Sequence, residues 1–451
     1  MLDLRPSKSD IVPEAKKFLQ HKTAIIGKFE KIAQSDGFGS ALNYINETIR
    51  ENPYHRQVLV KLYAFFKNTA GRSGIADALS LLFIEINESQ SQLSQSIWNS
   101  PFICEEPNLI LNRIGEGCDQ SALVIQMLSS QILKEKPVLL VSKSTKHANI
   151  AMLDYYRDAF EIITDEKEFN ELLPLRSHSF FNSYIAKFSD DIFGHNGELT
   201  AGIHTKFQTL GKNPFVFNLK EETEEVALKY LKNFGLSHNE EFVTIHVRES
   251  GYVDAEHHNI RNYNPDILDP AIDYLLQSGL KVVRIGHNKM SRLSPRPGLI
   301  DLAHEQRPGE VDIFLCAVAK FFIGTPSGPW SLAYQFGTPT LQIGHYTQCQ
   351  WRLNGLVHIQ PIREIETGRT LSMKELKLLD LHKIVATKPY EMRGLSPVPL
   401  SERELLKATQ EMIDFKDNFQ LQLLNESFEA DKSELGIANE LMFTSDSVQH
   451  L

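Results

Sequence analysis

Cysteine is scarce in this chain: four residues in 451, at Cys104, Cys118, Cys316 and Cys349. None forms a Cys-x-x-Cys pair and no histidines cluster beside them. A structural zinc site is therefore not expected, and four scattered thiols suit small core residues in a reducing compartment. Long apolar runs are missing too. No stretch approaches the ~18–20 residues that cross a bilayer. The opening MLDLRPSKSD is charged and lacks the apolar segment of an ordinary signal peptide. A basic excess is absent: the formal net charge is −10. A surface that tracks nucleic-acid phosphates needs the opposite sign, although a local basic pocket stays compatible with this balance. The lysine and spaced glycines of a P-loop are lacking, and so is His-Glu-x-x-His. We therefore expect a soluble, cytoplasmic protein with no integral membrane segment, no nucleic-acid partner and no metal.

What is present is ordinary globular material, 42% apolar and 23% charged, long enough for two or three domains. Residues 1–104 read as helical. Ala41, Leu42, Ile45 and Ile49 share one face, and Ile75, Leu79, Leu82, Phe83 and Ile86 another, as in a cap or docking module. From 105 to 220 the pattern becomes strand–turn–helix–strand: NLILN (108–112), RIGEG (113–117), a helix over 121–133 and PVLLVSK (137–143). EIITD (161–165) and PFVFNL (214–219) are further expected strands. Residues 166–213 resist parsing.

A second α/β unit, 221–395, is clearer. The helix 221–234 ends at Gly235, followed by the strand FVTIHV (242–247). Asp269-Pro270 is an expected N-cap and first-turn proline for the next helix. The strands KVVRIG (281–286), LIDLA (299–303), KFFIG (320–324) and PTLQIG (339–344) alternate with helices over 311–319 and 327–336. Near-continuous apolar strands between helices predict a parallel sheet covered on both faces. Ser401-x-x-Glu404 is a capping box opening a long helix within 396–430. A polar tail, 431–451, is expected to fray.

Ligands of open parallel sheets sit beyond the carboxyl ends of the strands. Those ends deliver Arg248 and Glu249; His287, Asn288 and Lys289; Thr325, Pro326, Ser327 and Gly328; and His345 and Tyr346. The turn GTPSGPWS (324–331) leads from a strand into a helix, a natural anion site, with simple capping by Ser327 as the competing reading. A guanidinium at a strand tip grips two phosphate oxygens, whereas a surface ion pair with Glu249 would matter little. His246 is a core histidine or a site residue. Adjacent histidines His257 and His258, near Asp254 and Glu256, point apart and make a poor metal pair. Glu116 and Asp119 follow the first strand of the first unit. Either is placed to act as a general base, with Asp119 equally suited to capping a helix.

On HVRESGY (246–252), the RN of 261–262, GLKVVRIG (279–286), VDIFLCAVAKFFIGTPSG (311–328) and FGTPT (336–340), the chain resembles bacterial glycosyltransferases of the GT-B type from surface-polysaccharide gene clusters. Its His-x-Arg is similar to the donor-phosphate motif of fucosyltransferase-like enzymes. Those enzymes carry a second arginine where this sequence has Glu249, which argues against GDP-fucose. The resemblance implies a GT-B-like α/β fold: two Rossmann-like domains facing across a cleft, preceded by the helical region, with the helix after Ser401 returning to the first domain. It implies a nucleotide-sugar donor as substrate, with no other cofactor, and a glycan or lipid-linked acceptor. A lipid-linked acceptor would bring the chain to the inner membrane face. Arg248, His246 and Thr325–Gly328 would hold the diphosphate, and Gly286, His287 and Asn288 would lie near base or ribose. Glu116 or Glu249 would be the base, and transfer would be inverting and metal-independent. Two alternatives remain. One is a GT-B-like nucleotide-sugar epimerase. The other is a non-catalytic assembly protein that docks a protein partner through its N-terminal helices and keeps a degenerate pocket.

Overall fold

The computed structural model describes residues 24–51, 102–103, 109–172, 185–189, 192–195, 207, 212–249, 261–345, 354–418 and 443–444, apart from 26, 30, 33, 132, 143–146, 380, 382, 383 and 385. Helix α1 (Phe38–Glu51) buries Ala41 and Ile45 completely, as the apolar stripe predicts. The helical expectation over 52–101 lies outside the described residues, as do Cys104 and Cys349.

The first α/β unit runs β1 (Phe102–Ile103), α2 (Leu109–Asn112), α3 (Ile114–Ser129), β2 (Val138–Leu140), α4 (Met152–Ala159), β3 (Glu161–Ile163) and α5 (Glu166–Leu172). Its strands form a parallel sheet in the order β1-β2-β3. Two expectations are corrected here. Within NLILN, Leu109–Asn112 are helix α2 and not a strand, and RIGEG is no open turn but the entry into α3. A short apolar run does not settle its own period. Residues 214–219 are not a strand either. Phe217 instead packs between Tyr155 and Phe336, tilted against the first and edge-on to the second, at 5.8 and 5.5 Å between ring centroids, so aromatic burial outweighs ladder pairing. An antiparallel hairpin, β4 (Ile185–Ser189) and β5 (Ile192–His195), lies between.

The second unit comprises α6 (Glu221–Leu231), β6 (Phe242–His246), α7 (Asp269–Gln277), β7 (Lys281–Arg284), β8 (Leu299–Asp301), α8 (Gly309–Val318), β9 (Phe322–Gly324), α9 (Gly328–Gln335), β10 (Thr340–His345) and β11 (Gly355–Ile359). A small antiparallel appendage, β12 (Ile362–Glu364) and β13 (Leu395–Pro397), carries α10 (Met373–Leu378) and α11 (Lys388–Glu391). Helix α12 (Glu402–Asn418) follows, and β14 (Phe443–Thr444) falls within the tail expected to fray. The seven strands are ordered β14-β11-β10-β9-β6-β7-β8, every pair parallel.

Local chemistry sets most boundaries. Gly235, at φ 72°, closes the turn after α6, a left-handed position that suits glycine. Asp269 is not the cap of α7. Asn264 caps the 3₁₀ turn Pro265–Leu268 that leads into α7, accepting the Asp266 N–H at 3.2 Å, while Asp269 pairs with Arg296 at 2.7 Å. The capping box at α12 forms: the Ser401 N–H donates to the Glu404 carboxylate at 2.8 Å and the Glu404 N–H to Ser401 Oγ at 3.3 Å. This helix packs Leu405, Ala408 and Met412 onto α7 and the large sheet. That is a correction to its expected return to the first domain, and its apolar stripe is the reason.

Strand β6 is buried along its whole length, and period-two alternation divides its side chains between two cores. Val243 and Ile245, with Val247 just beyond, face α7 and α12. Phe242, Thr244 and His246 face the other way. There Phe242 stacks on Phe314, and Thr244 Oγ1 donates to the Leu315 carbonyl of α8 at 2.7 Å. That second core is continuous with the first unit, joining Leu123 and Met127 of α3 to Trp330 and Leu332 of α9.

Candidate functional site

Helices α3 and α9 meet at their N-terminal ends. A side chain on Gly328 would lie 3.1 Å from Ile114 Cβ and 3.2 Å from the Gly115 nitrogen. Only two glycines permit so close a backbone approach. Asp119, one turn on, accepts from Ser331 Oγ at 2.7 Å and from Gln335 Nε2 at 2.9 Å. It bolts the two units together and is neither a cap nor an available base. Glu116 lies in the first turn of α3, half-buried and one residue from the glycine contact. The N-cap residue of α3, Arg113, makes no side-chain cap bond. The positive ends of two helices therefore lie against each other, and such ends favour an anion beside their contact.

His246 and Arg248 lie on the rim of the large sheet, beside the strand end that leads into α9. His246 pairs with Gly324, just before the turn into α9. The residue is 8% exposed, and its Nδ1 has no hydrogen-bond partner among the described residues. Burial, reinforced by the charges of Arg284, His287 and Arg248, lowers its pKa to about 3. The imidazole is thus neutral near pH 7, able to donate or accept one hydrogen bond. Arg248 is half-buried just beyond the strand. Its N–H donates to Thr325 Oγ1 and its carbonyl accepts from the Tyr263 N–H, both at 2.9 Å. Ser327 caps α9, its Oγ facing the Trp330 N–H at 3.5 Å, and Pro326 is buried.

Glu249 is not the free base expected of it. One carboxylate oxygen accepts from Arg284 Nη2 at 2.6 Å and the other from the Ser291 N–H at 2.9 Å. Arg284 is completely buried and also binds Asp301 at 3.0 Å and the Ser291 carbonyl at 2.6 Å. Reading KVVRIG as a plain apolar strand missed this arginine, yet a charge inside such a strand is itself a signal that carboxylates await it. Arg307 was missed as well. It binds Asp312 at 2.7 Å and the Gly286 carbonyl at 3.0 Å, joining the ends of β7 and α8. Gly286 is thereby held by its carbonyl, with Met290 packed where a side chain would be. His287 is half-buried, its pKa lowered chiefly by burial, and accepts the Lys289 N–H at 3.3 Å. Asn288 is exposed. Residues 250–260, including Asp254, Glu256, His257 and His258, and Tyr346 lie outside the described residues. Among the described residues no cluster of three His, Cys, Asp or Glu is arranged to hold a metal, and no helix is long and apolar enough to cross a membrane.

No family model matches the chain, and no curated protein matches it. Among solved structures it is similar to a family 9 glycosyl transferase from Veillonella parvula (TM-score 0.41, 11% identity, 66% of this chain and 94% of that one). It is also similar to the E. coli ADP-heptose lipopolysaccharide heptosyltransferase II (TM-score 0.40, 10% identity, 68% and 97%). A third is the E. coli heptosyltransferase WaaC with ADP (TM-score 0.33, 14% identity, 55% and 88%). At these scores the likeness carries no weight for activity, and the functional reading rests on the site.

Two buried histidines give the fold a pH dependence. Burial lowers His246 to about 3 and His358, on β11, to about 4 against the opposing charge of Glu404. The unfolded chain takes up these protons near pH 6.5 and the folded one does not, so stability is full above that value and falls as the pH drops toward 4. The melting temperature should decrease from pH 7 to pH 5. His358→Leu should flatten that slope; an unchanged slope would contradict the assignment.

Proposed function

We propose that this chain is a glycosyltransferase that takes a sugar from a nucleoside-diphosphate donor and gives it to a hydroxyl of a glycan or lipid-linked acceptor. The observation that supports this best is the meeting of α3 and α9 at Gly115 and Gly328, with His246 and Arg248 at the end of the strand next to the one that leads into α9 and His246 Nδ1 without a partner among the described residues. Positive helix ends, a guanidinium and a neutral hydrogen-bonding imidazole suit a diphosphate.

In this reading the acceptor oxygen attacks the anomeric carbon as the bond to the β-phosphate oxygen breaks. Charge grows on the departing diphosphate, where Arg248 and the helix ends stabilise it without requiring a metal. Glu116, in the first turn of α3 and one residue from the Gly115–Gly328 contact, takes the acceptor proton in this reading. Attack from the side opposite the leaving group inverts the anomeric centre. Residues near His287 and Asn288 would face the ribose or base.

Incubation with UDP-, GDP-, ADP- and dTDP-sugars and candidate acceptors, with detection of released nucleoside diphosphate, tests the reading. One donor class should be consumed, and Arg248→Ala should slow that consumption by about 10- to 100-fold, the worth of charged hydrogen bonds. Conversion of the donor sugar to its epimer would support the epimerase instead. No turnover of any donor, with function lost only on removal of the N-terminal helices, would support the assembly protein.

A further inference from the structure

Arg248 is gripped through its backbone rather than left to find its own position. The parallel ladder between β6 and β9 continues one step past both strands: the Thr325 N–H donates to the His246 carbonyl at 3.3 Å, and Thr325 Oγ1 then accepts the Arg248 N–H at 2.9 Å. A side-chain oxygen thus supplies the next rung after the backbone ladder runs out. Thr325 is fully buried, so this hydroxyl does not face a ligand in solvent. On the other side of the residue, the Arg248 carbonyl accepts from Tyr263. The following residue, Glu249, is fixed at both carboxylate oxygens by Arg284 and Ser291. Asp301, which shares Arg284, also accepts the Leu293 N–H at 3.2 Å and the Ala303 N–H at 3.1 Å. The segments after β6, β7, β8 and β9 are therefore cross-linked into one rigid rim.

We propose that Thr325 and Glu249 are positioning residues whose task is to hold the Arg248 guanidinium in register with a diphosphate at the α3–α9 junction. This rests on the donor reading above. It reassigns both side chains: Thr325 from phosphate ligand and Glu249 from base to support of a ligand-binding arginine. Sites that lack such support lose affinity through misplacement, not through the loss of a direct contact.

The test uses Thr325→Val, which keeps the shape and removes the acceptor, and Thr325→Ser, which keeps the acceptor. Inorganic pyrophosphate, UDP, GDP and ADP are titrated calorimetrically into each full-length protein, and melting temperatures are recorded alongside. Thr325→Val should bind the diphosphate at least about tenfold more weakly, with Thr325→Ser near wild type. Should Thr325→Val fail to fold, Glu249→Gln tests the same support and should show a comparable loss. A variant that melts earlier yet binds within about twofold of wild type overturns the positioning role alone, because a purely structural residue changes stability and not affinity. Wild type that binds none of the four probes overturns the donor reading and this inference with it.

Discussion

Arg284→Met will cost the protein about 3–5 kcal/mol of stability, the range seen when one partner of a buried ion pair is removed. The guanidinium is inaccessible to solvent and serves Glu249 at 2.6 Å, Asp301 at 3.0 Å and the Ser291 carbonyl at 2.6 Å. Methionine keeps the apolar stem and ends at the ε position, so what it removes is the charged guanidinium head. The loss therefore comes from two carboxylates stranded with 10% and 18% side-chain exposure, which must protonate or draw in water. Adding Glu249→Gln and Asp301→Asn to Arg284→Met should recover part of the loss, since neutral amides are cheaper to bury. Urea unfolding of the three proteins measures both effects. A change below about 1 kcal/mol, the worth of a surface pair, would show that the network is solvated and does not brace the rim.

Glu116→Gln should have the largest effect on turnover. Amide for carboxylate preserves size and hydrogen bonding but cannot take a proton. Removing a general base typically slows the chemical step by about 10²- to 10⁴-fold. Donor binding should survive, because the groups assigned to the diphosphate are Arg248, His246 and the helix ends. The pairing of a lost kcat with an intact donor dissociation constant is what separates a base from a ligand. If Glu116→Gln turns over within a few-fold of wild type, the base lies elsewhere.

The large sheet was legible in the sequence because its strands are buried on both faces and read as apolar runs that stop at a charged or glycine-rich tip. FVTIHV, KVVRIG and KFFIG contain the observed strands, and PTLQIG covers all of β10 but His345. The first unit was less so. NLILN has the composition of a buried strand, yet it continues directly into α3 and becomes helix. PFVFNL alternates like a strand, yet its aromatic rings fill the junction between α4 and α9. Both outcomes depend on neighbours distant in the chain.

The site divides along the same line. A strand tip and a strand–turn–helix are local patterns, so His246, Arg248 and the Thr325–Gly328 turn were recognisable as rim residues. The partners that redefine Glu249 and Asp119 are not local. Arg284 lies 35 residues from Glu249, and Ser331 lies 212 from Asp119. Without them an acidic residue at a strand end reads as a base. The Gly115–Gly328 contact was equally out of reach, since it joins two turns that show no sign of each other in sequence.

The most direct test of the account is an equilibrium titration of the wild-type protein with each nucleoside diphosphate and its parent nucleoside, in low salt and without added metal. The account predicts that one diphosphate binds and that its nucleoside binds at least about 100-fold more weakly, the difference expected of two or more charge-assisted hydrogen bonds. Equal affinity for diphosphate and nucleoside, or no binding of either, would contradict an anion site where α3 and α9 meet.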